Sequence, residues 1–359
     1  MAVSVRKGRG ATRRNPHRFE AVARVPDGDA RDAAVAQVDD APLPPLATEV
    51  RFEDVRSLLA YNDSPDLGFD RAINPYRGCE HGCPYCYARP RHSYLNLSPG
   101  LDFETKLVAK RNAAEVLARE LGAPGYRPAT INIGAATDAY QPIERELRIT
   151  RAIVELLVRT RHPFVIVTKS ALVERDLDLL APAAAHSLTG VFISLTTLEP
   201  SLARRLEPRA ASPWRRLRTI ETLARAGIPV RVNVAPIIPF INEPEIERLL
   251  QAAADAGACG AHYAVLRLPW EVDAVFQDWL QAHFPQRATR VMNRVREMRG
   301  GKHYDSRFGV RMKGEGVWAA LICQRFEKAA ARAGLFVGEL RLRTDLFEPS
   351  RVGSQLTLF

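Results

Sequence analysis

One stretch, Asn74 to Pro90 (NPYRGCEHGCPYCYARP), constrains this chain more than any other. It carries three of the five cysteines, Cys79, Cys83 and Cys86, spaced C-x3-C-x2-C, and no other cysteine lies near in sequence. Three thiols so close together cannot all pair as disulfides. Gly78 and Gly82 permit tight bends because glycine has no Cβ, and Pro75 and Pro84 stiffen the loop. A chain needs these features to wrap thiolates around one inorganic centre, and two centres compete. A closed zinc site wants four ligands, as CxxC pairs or mixed Cys/His sets; His81 or His92 would have to be the fourth, at an unusual spacing. A 4Fe–4S cluster normally takes four cysteines, and three would leave one iron open for chemistry.

An aromatic, Tyr85, stands just before the last cysteine. With it, the motif resembles the signature of the radical SAM superfamily. The resemblance implies that Cys79, Cys83 and Cys86 hold a 4Fe–4S cluster and that S-adenosylmethionine (SAM) chelates the fourth iron. One electron would then cleave the sulfonium to a 5′-deoxyadenosyl radical, with Tyr85 close to the adenine. Within the superfamily, INPYRGCEHGCPYCYARP, TDAYQPIE (137–144), EPRAASPWRRL and GIPVRVNVAPIIP resemble relatives of spore photoproduct lyase, over roughly residues 60–340.

At 359 residues the chain can bury a large core. Few, clustered cysteines suit a reducing compartment, no apolar run is long enough to span a bilayer, and the basic opening lacks the apolar centre of a secretory signal. A cytoplasmic protein is expected. The net charge of +10 favours polyanionic partners, nucleic acid among them. Residues 1–50 read as a disordered basic tail ending in a Pro-rich linker. Residues 51–269 read as the core, 270–348 as a helical cap interrupted by a loop at 299–308, and 349–359 as a flexible tail.

Ser98 to Phe103 reads as an exposed turn and Lys106 to Leu121 as one helix. Strands and helices then alternate. Strands are expected at 66–73, leading into the thiol loop, and at 130–134, 164–168 (FVIVT), 191–195, 230–235 and 262–268. Helices are expected between them, including Pro213–Ala226 with Ser212 as N-cap and Gly227 as the stop. Such alternation means parallel strands with helical crossovers. About six units fit, too few for a closed eight-fold barrel, so the fold class expected is α/β, a partial (β/α)6 barrel with a mostly helical C-terminal extension.

In such a barrel the chemistry sits at the C-terminal ends of the strands. The candidates there are Gly134, Thr137, Asp138 and Tyr140 after the second strand and Lys169 after FVIVT. Ser194 and Thr196 follow at the fourth strand, Asn233 in the fifth, and Tyr263 in the last, with His262 and Arg267 as weaker candidates. The resemblance assigns Tyr85, Gly134, Thr137, Lys169, Ser194, Thr196 and Asn233 to the surroundings of SAM, with Lys169 on its carboxylate. Asp138, Tyr140 and Tyr263 are the candidates for facing substrate. The family's hydrogen-donor cysteine has no counterpart in GAATDAY, and Cys259 and Cys323 read as buried small residues. This departure leaves the lyase reaction itself in doubt.

The chain ends in QLTLF. Gln355, Leu356, Leu358 and Phe359 resemble the peptide by which bacterial replication and repair proteins dock on the sliding clamp. Three functions stay open from sequence: a radical SAM enzyme on DNA or a DNA lesion, the same chemistry on a protein or small metabolite, or a non-catalytic iron–sulfur or zinc protein that binds nucleic acid or the clamp. The enzyme readings imply an electron donor such as a flavodoxin or ferredoxin.

Overall fold

Six short, apolar, β-rich runs pair with one another in chain order. They are β1 (Arg71–Ile73), β2 (Ile131–Ile133), β3 (Phe164–Thr168), β4 (Thr189–Ser194), β5 (Val230–Ile237) and β6 (Gly260–Val265). Every neighbouring pair is parallel, and β1 and β6 do not meet, so the barrel stays open. A short antiparallel strand, Ala60–Tyr61, borders β1. Between the six strands run α1 (Ala113–Leu121), α2 (Ile149–Arg159), α3 (Leu177–Ala185), α4 (Pro213–Arg225) and α5 (Ile246–Asp255). The expected partial (β/α)6 barrel is thus the observed fold. The computed structural model describes residues 5–20 and 46–353. Gln355, Leu356, Leu358 and Phe359 lie outside the described residues, as does the Ala/Asp-rich tract before the Pro cluster.

Local chemistry explains the regular parts. FVIVT is β-branched and nearly all buried, as a central parallel strand must be. Ser212 caps α4 by accepting from the Arg215 N–H, and Pro213 occupies the first turn, where its missing N–H costs nothing. On the helix-facing side, Ile220, Leu223, Val232, Val234, Leu249 and Leu250 share one core with Ile131, Ile133 and Ile166.

After β6 come α6 (Glu271–His283), α7 (Pro285–Glu297) and α8 (Gly316–Arg332). The first two bury Phe276, Trp279 and Val291 against Cys83 and Tyr85, so they floor the thiol loop. Burying an aromatic such as Trp279 stabilises this seat by about 2 kcal/mol. The chain then crosses the N-terminal ends of the strands. Ala261 N donates to Phe336 O at 2.9 Å, and Arg343 N donates to Ser187 O at 2.9 Å.

Three expectations need correction. Residues 5–20 are not a free tail: Arg9, Thr12, Asn15 and His17 are buried. This segment covers the expected exposed turn, where Leu101 N donates to Arg13 O at 3.2 Å and Ser98 Oγ to Asn15 O at 2.7 Å. Ser98, Asp102 and Phe103 are consequently buried, and Leu101–Thr105 is a short helix. Finally, the helix expected from Lys106 starts only at Ala113. Lys106–Lys110 alternates buried and half-buried positions as a strand, parallel to Glu49–Glu53 and antiparallel to Tyr76–Arg77. Those partners are remote in sequence, and pairing overrides local helical spacing.

Candidate active site

The thiol loop leaves the end of β1 and folds over the C-terminal ends of the strands. Gly78 and Gly82 adopt φ of 80° and 70°. At Gly78 a Cβ would lie 2.9 Å from Phe103 O and 2.7 Å from Leu107 Cδ2, so the bend requires glycine on both counts. Arg89, fully buried, donates to Cys83 O at 2.8 Å and to Pro99 O and Gly100 O at 2.9 Å. Its remaining N–H meets Glu104, also fully buried. Glu104 in turn accepts from Gly10 N at 3.0 Å and Ala11 N at 2.8 Å. One buried ion pair therefore pins the thiol loop and the N-terminal segment to each other. Gly10 packs so tightly on the loop that a Cβ there would fall 1.7 Å from Gly82 O.

On the loop's other flank Glu80 is buried. Its N–H donates to Gln141 Oε1 at 2.9 Å, and its carboxylate accepts from Ile143 N at 2.9 Å and meets Arg209 at 3.1 Å. Tyr85 donates its hydroxyl to Glu207, which is paired with Arg216. Arg216 then reaches Ser194 O at 2.9 Å. Glu207 and Arg216 both belong to EPRAASPWRRL, so that segment grips the aromatic beside the last cysteine. Sequence reasoning singled out the segment without finding this role.

Cys79 and Cys83 are buried and Cys86 half-buried. Burial pushes the Cys79 thiol up and the Cys83 thiol up to about 12. Thiolates in such a place need a cationic centre to compensate them. The donor set is three soft sulfurs, which select zinc or iron–sulfur centres over hard cations. Among the described residues no three Cys, His, Asp or Glu side chains converge at the spacing of a single metal ion. A cube of iron and sulfide holds its thiolates at separate corners, more widely than the ligands of one tetrahedral ion. The histidines a zinc site would recruit are engaged elsewhere. His92 contacts Lys106 O at 2.9 Å, and His81 Nδ1 faces Asp138 Oδ2 at 3.2 Å. The three sulfurs are the donors a soft centre takes, and the neighbouring histidines are spent on other contacts.

Lys169 follows β3 and is half-buried, and its ammonium has no salt-bridge partner among the described residues. Burial opposes its charge, but Cys83, Glu207 and Asp138 outweigh burial and hold it protonated. Register places Ser194, Asn233 and His262 in one row across β4, β5 and β6, on the face away from the helices. Asn233 is half-buried and His262 exposed, so this row borders open space rather than core. Thr196 is buried with its hydroxyl unpartnered, and so is the Asn132 carboxamide oxygen on β2, a residue the sequence reading overlooked. Gly134 adopts φ of 89°, and a Cβ there would lie 2.7 Å from Val167 O. Thr137 is tied down by Asn74 Oδ1 at 3.3 Å and by Tyr76 O at 3.1 Å.

The three candidates for facing substrate make their contacts within the fold. Asp138 is half-buried with its side chain largely covered, and it spends its carboxylate on Tyr140 N, Thr168 Oγ1 and Lys169 N at 2.7–2.9 Å. Burial opposes its ionisation, yet His81 and these donors hold it well below the usual carboxylate range. It is a clamp between strand ends. Tyr140 is fully buried and donates to Asp176 at 2.9 Å. Tyr263 lies on the helix-facing side, its ring 4.5 Å from that of Phe326 on α8. Each has the residue type of a catalytic group, and strand phase and loop bonding give each a partner inside the fold. Cys259 is exposed and Cys323 half-buried, so neither is the deeply buried residue expected.

An open six-stranded barrel with three thiols on the loop after its first strand defines a class of enzyme that generates radicals. The Radical SAM superfamily model matches residues 73–253, and the chain belongs to that superfamily. An uncharacterised protein of Mycobacterium tuberculosis (strain ATCC 25618 / H37Rv) is 36% identical over 69% of this chain and 74% of its own length. Another, from Methanocaldococcus jannaschii, is 30% identical over 56% of this chain and 73% of its own. A variant of spore photoproduct lyase superimposes with a TM-score of 0.57 at 17% identity, covering 81% of this chain and 82% of that one. The same enzyme complexed with dinucleoside spore photoproduct gives 0.55 at 16%, covering 80% and 81%. At such identities these likenesses speak for the fold. The chain is a radical SAM enzyme, and no described helix is long and apolar enough to cross a membrane.

Proposed function

We propose that Cys79, Cys83 and Cys86 hold a 4Fe–4S cluster and that the row above the strand ends holds SAM. Bound there, the cluster would supply one electron to the sulfonium of SAM. The chain's own part is to position and exclude. Lys169 presents an unpaired ammonium for the SAM carboxylate. Gly134 lets backbone approach the amino end, while Thr137, Ser194, Thr196 and Asn233 offer polar atoms to the rest. Tyr85, held by Glu207, lies against the adenine, and α6 and α7 shield the loop from water. The observation that carries this reading is Lys169 half-buried at the end of β3, its ammonium without a salt-bridge partner among the described residues. The substrate proposed is nucleic acid, DNA or a DNA lesion. The net charge of +10 supports it, as does the dinucleoside bound by the spore photoproduct lyase of similar fold. The setting proposed is the cytoplasm, with a flavodoxin- or ferredoxin-like donor.

The test is anaerobic reconstitution with iron and sulfide, reduction, addition of SAM, and assay for 5′-deoxyadenosine, with Cys83→Ala as control. Product from the native chain and none from the variant is expected. About four irons per chain without product, with or without damaged DNA, would overturn the reading.

A further inference from the structure

Beside the thiol loop the surface opens into a cleft of about 190 Å³, walled by Arg18, Tyr87, Arg91, Tyr94, Arg267 and Trp270 among others. Pockets that engulf a whole small molecule start near about 300 Å³. This one suits a flat group carried on a longer ligand. Tyr94 and Trp270 expose 69% and 67% of their surface, and both line this one cleft. Trp270 sits at φ of 48°, an outlier for so bulky a residue, at the head of α6. The Arg18 guanidinium lies 4.5 Å from the Trp270 ring centre and 5.3 Å from that of Tyr94, and Glu271 pairs it at 3.1 Å. Arg267 lies 4.5 Å from the Tyr87 ring centre. Neither Arg91 nor Arg267 has a salt-bridge partner among the described residues.

We infer that this cleft is a stacking subsite for an unpaired base of single-stranded nucleic acid, with Arg91 and Arg267 on the flanking phosphates. Aromatic faces take any base through its π surface, and uncompensated guanidinium groups follow the backbone. A duplex keeps its bases stacked on each other and offers no face to the cleft. An acidic peptide would satisfy the arginines but brings no flat face to the exposed rings. Tyr87 adjoins Cys86 and donates its hydroxyl to Ala135 O in the loop after β2, so a strand held here passes the thiol loop. The inference deepens the nucleic-acid reading above and rests on it, but its test uses neither SAM nor turnover.

The full-length, reconstituted chain is titrated into labelled oligothymidylate of about a dozen nucleotides, an abasic strand of equal length, and a duplex, at several salt concentrations. Oligothymidylate should bind at least about tenfold tighter than the abasic strand. Trp270→Ala and Tyr94→Ala should each lose about 5- to 150-fold on oligothymidylate and little on the abasic strand, with Trp270→Phe largely restored. Arg91→Ala should weaken every strand alike and lower the salt slope by about one. Circular dichroism confirms that each variant is folded, and the comparison of strands on the native chain decides even if one is not. Equal binding of abasic and base-bearing strands, an unchanged Trp270→Ala, or displacement by polyglutamate as readily as by oligothymidylate would overturn the inference. Base-dependent binding without SAM cleavage would sink the catalytic proposal alone, and the reverse would sink this one alone.

Discussion

Replacing Glu104 with Gln removes one charge from the pair that holds the thiol loop and keeps nearly the same shape. Glu104 and Arg89 are both fully buried, so solvent cannot compensate the guanidinium left behind. Breaking a buried pair from one side costs about 3–5 kcal/mol. The Gln carbonyl can still accept from Gly10 or Ala11, which places the expected loss near the lower end, about 3 kcal/mol. With a urea slope of about 3 kcal/mol per molar, the unfolding midpoint should fall by about 1 M. Urea titration followed by far-ultraviolet circular dichroism reads this directly, and iron retained after reconstitution reads the loop. Because Arg89 holds the Cys83 carbonyl at 2.8 Å, both should fall together. A double-mutant cycle with Arg89→Met measures the coupling between the two charges. A midpoint within error of the native value would falsify the clamp.

Other perturbations probe separate links. Lys169→Met should weaken equilibrium binding of SAM by about 10- to 150-fold, the worth of one charge-assisted hydrogen bond of about 1.5–3 kcal/mol; an unchanged Kd would remove Lys169 from the carboxylate. Gly78→Ala places a Cβ 2.9 Å from Phe103 O at a left-handed φ. It should cost at least about 1–2 kcal/mol and lower iron content, whereas the open Gly227→Ala should leave iron content at the native level. Burial holds His162 down to about 4, with Nδ1 at 2.9 Å from Pro163 O and Nε2 at 2.8 Å from the Tyr126 hydroxyl. The unfolded chain takes up that proton near pH 6.5 while the folded chain resists until about 4. Stability should therefore be full above about pH 6.5 and fall by about 3 kcal/mol on acidification to pH 4. Denaturation across this range should show a flatter profile in His162→Gln, and identical slopes would refute the assignment.

Patterns that repeat along the chain were legible without coordinates. Alternating apolar strands and capped helices could bury their faces only as a parallel sheet under crossovers. C-x3-C-x2-C with a bend-forming glycine just before each of its first two cysteines could only be a loop that gathers thiols. Period and spacing are properties of neighbours in sequence, and for that reason FVIVT and the Ser212-capped helix appear where expected. Strand phase was a different matter. Sequence placed Tyr263 and Tyr140 among residues that meet substrate, and the fold turned both into core. It passed over Asn132, and it rated His262 low although that side chain stands exposed in the row with Ser194 and Asn233. The largest surprise was charge. Arg9 fell in the expected basic tail and Arg89 drew no reading, yet both are buried on Glu104 or its backbone. A charge is buried only when partners from distant segments close around it, and the contacts spanning 15 to 95 residues that do so here exist in the tertiary structure alone.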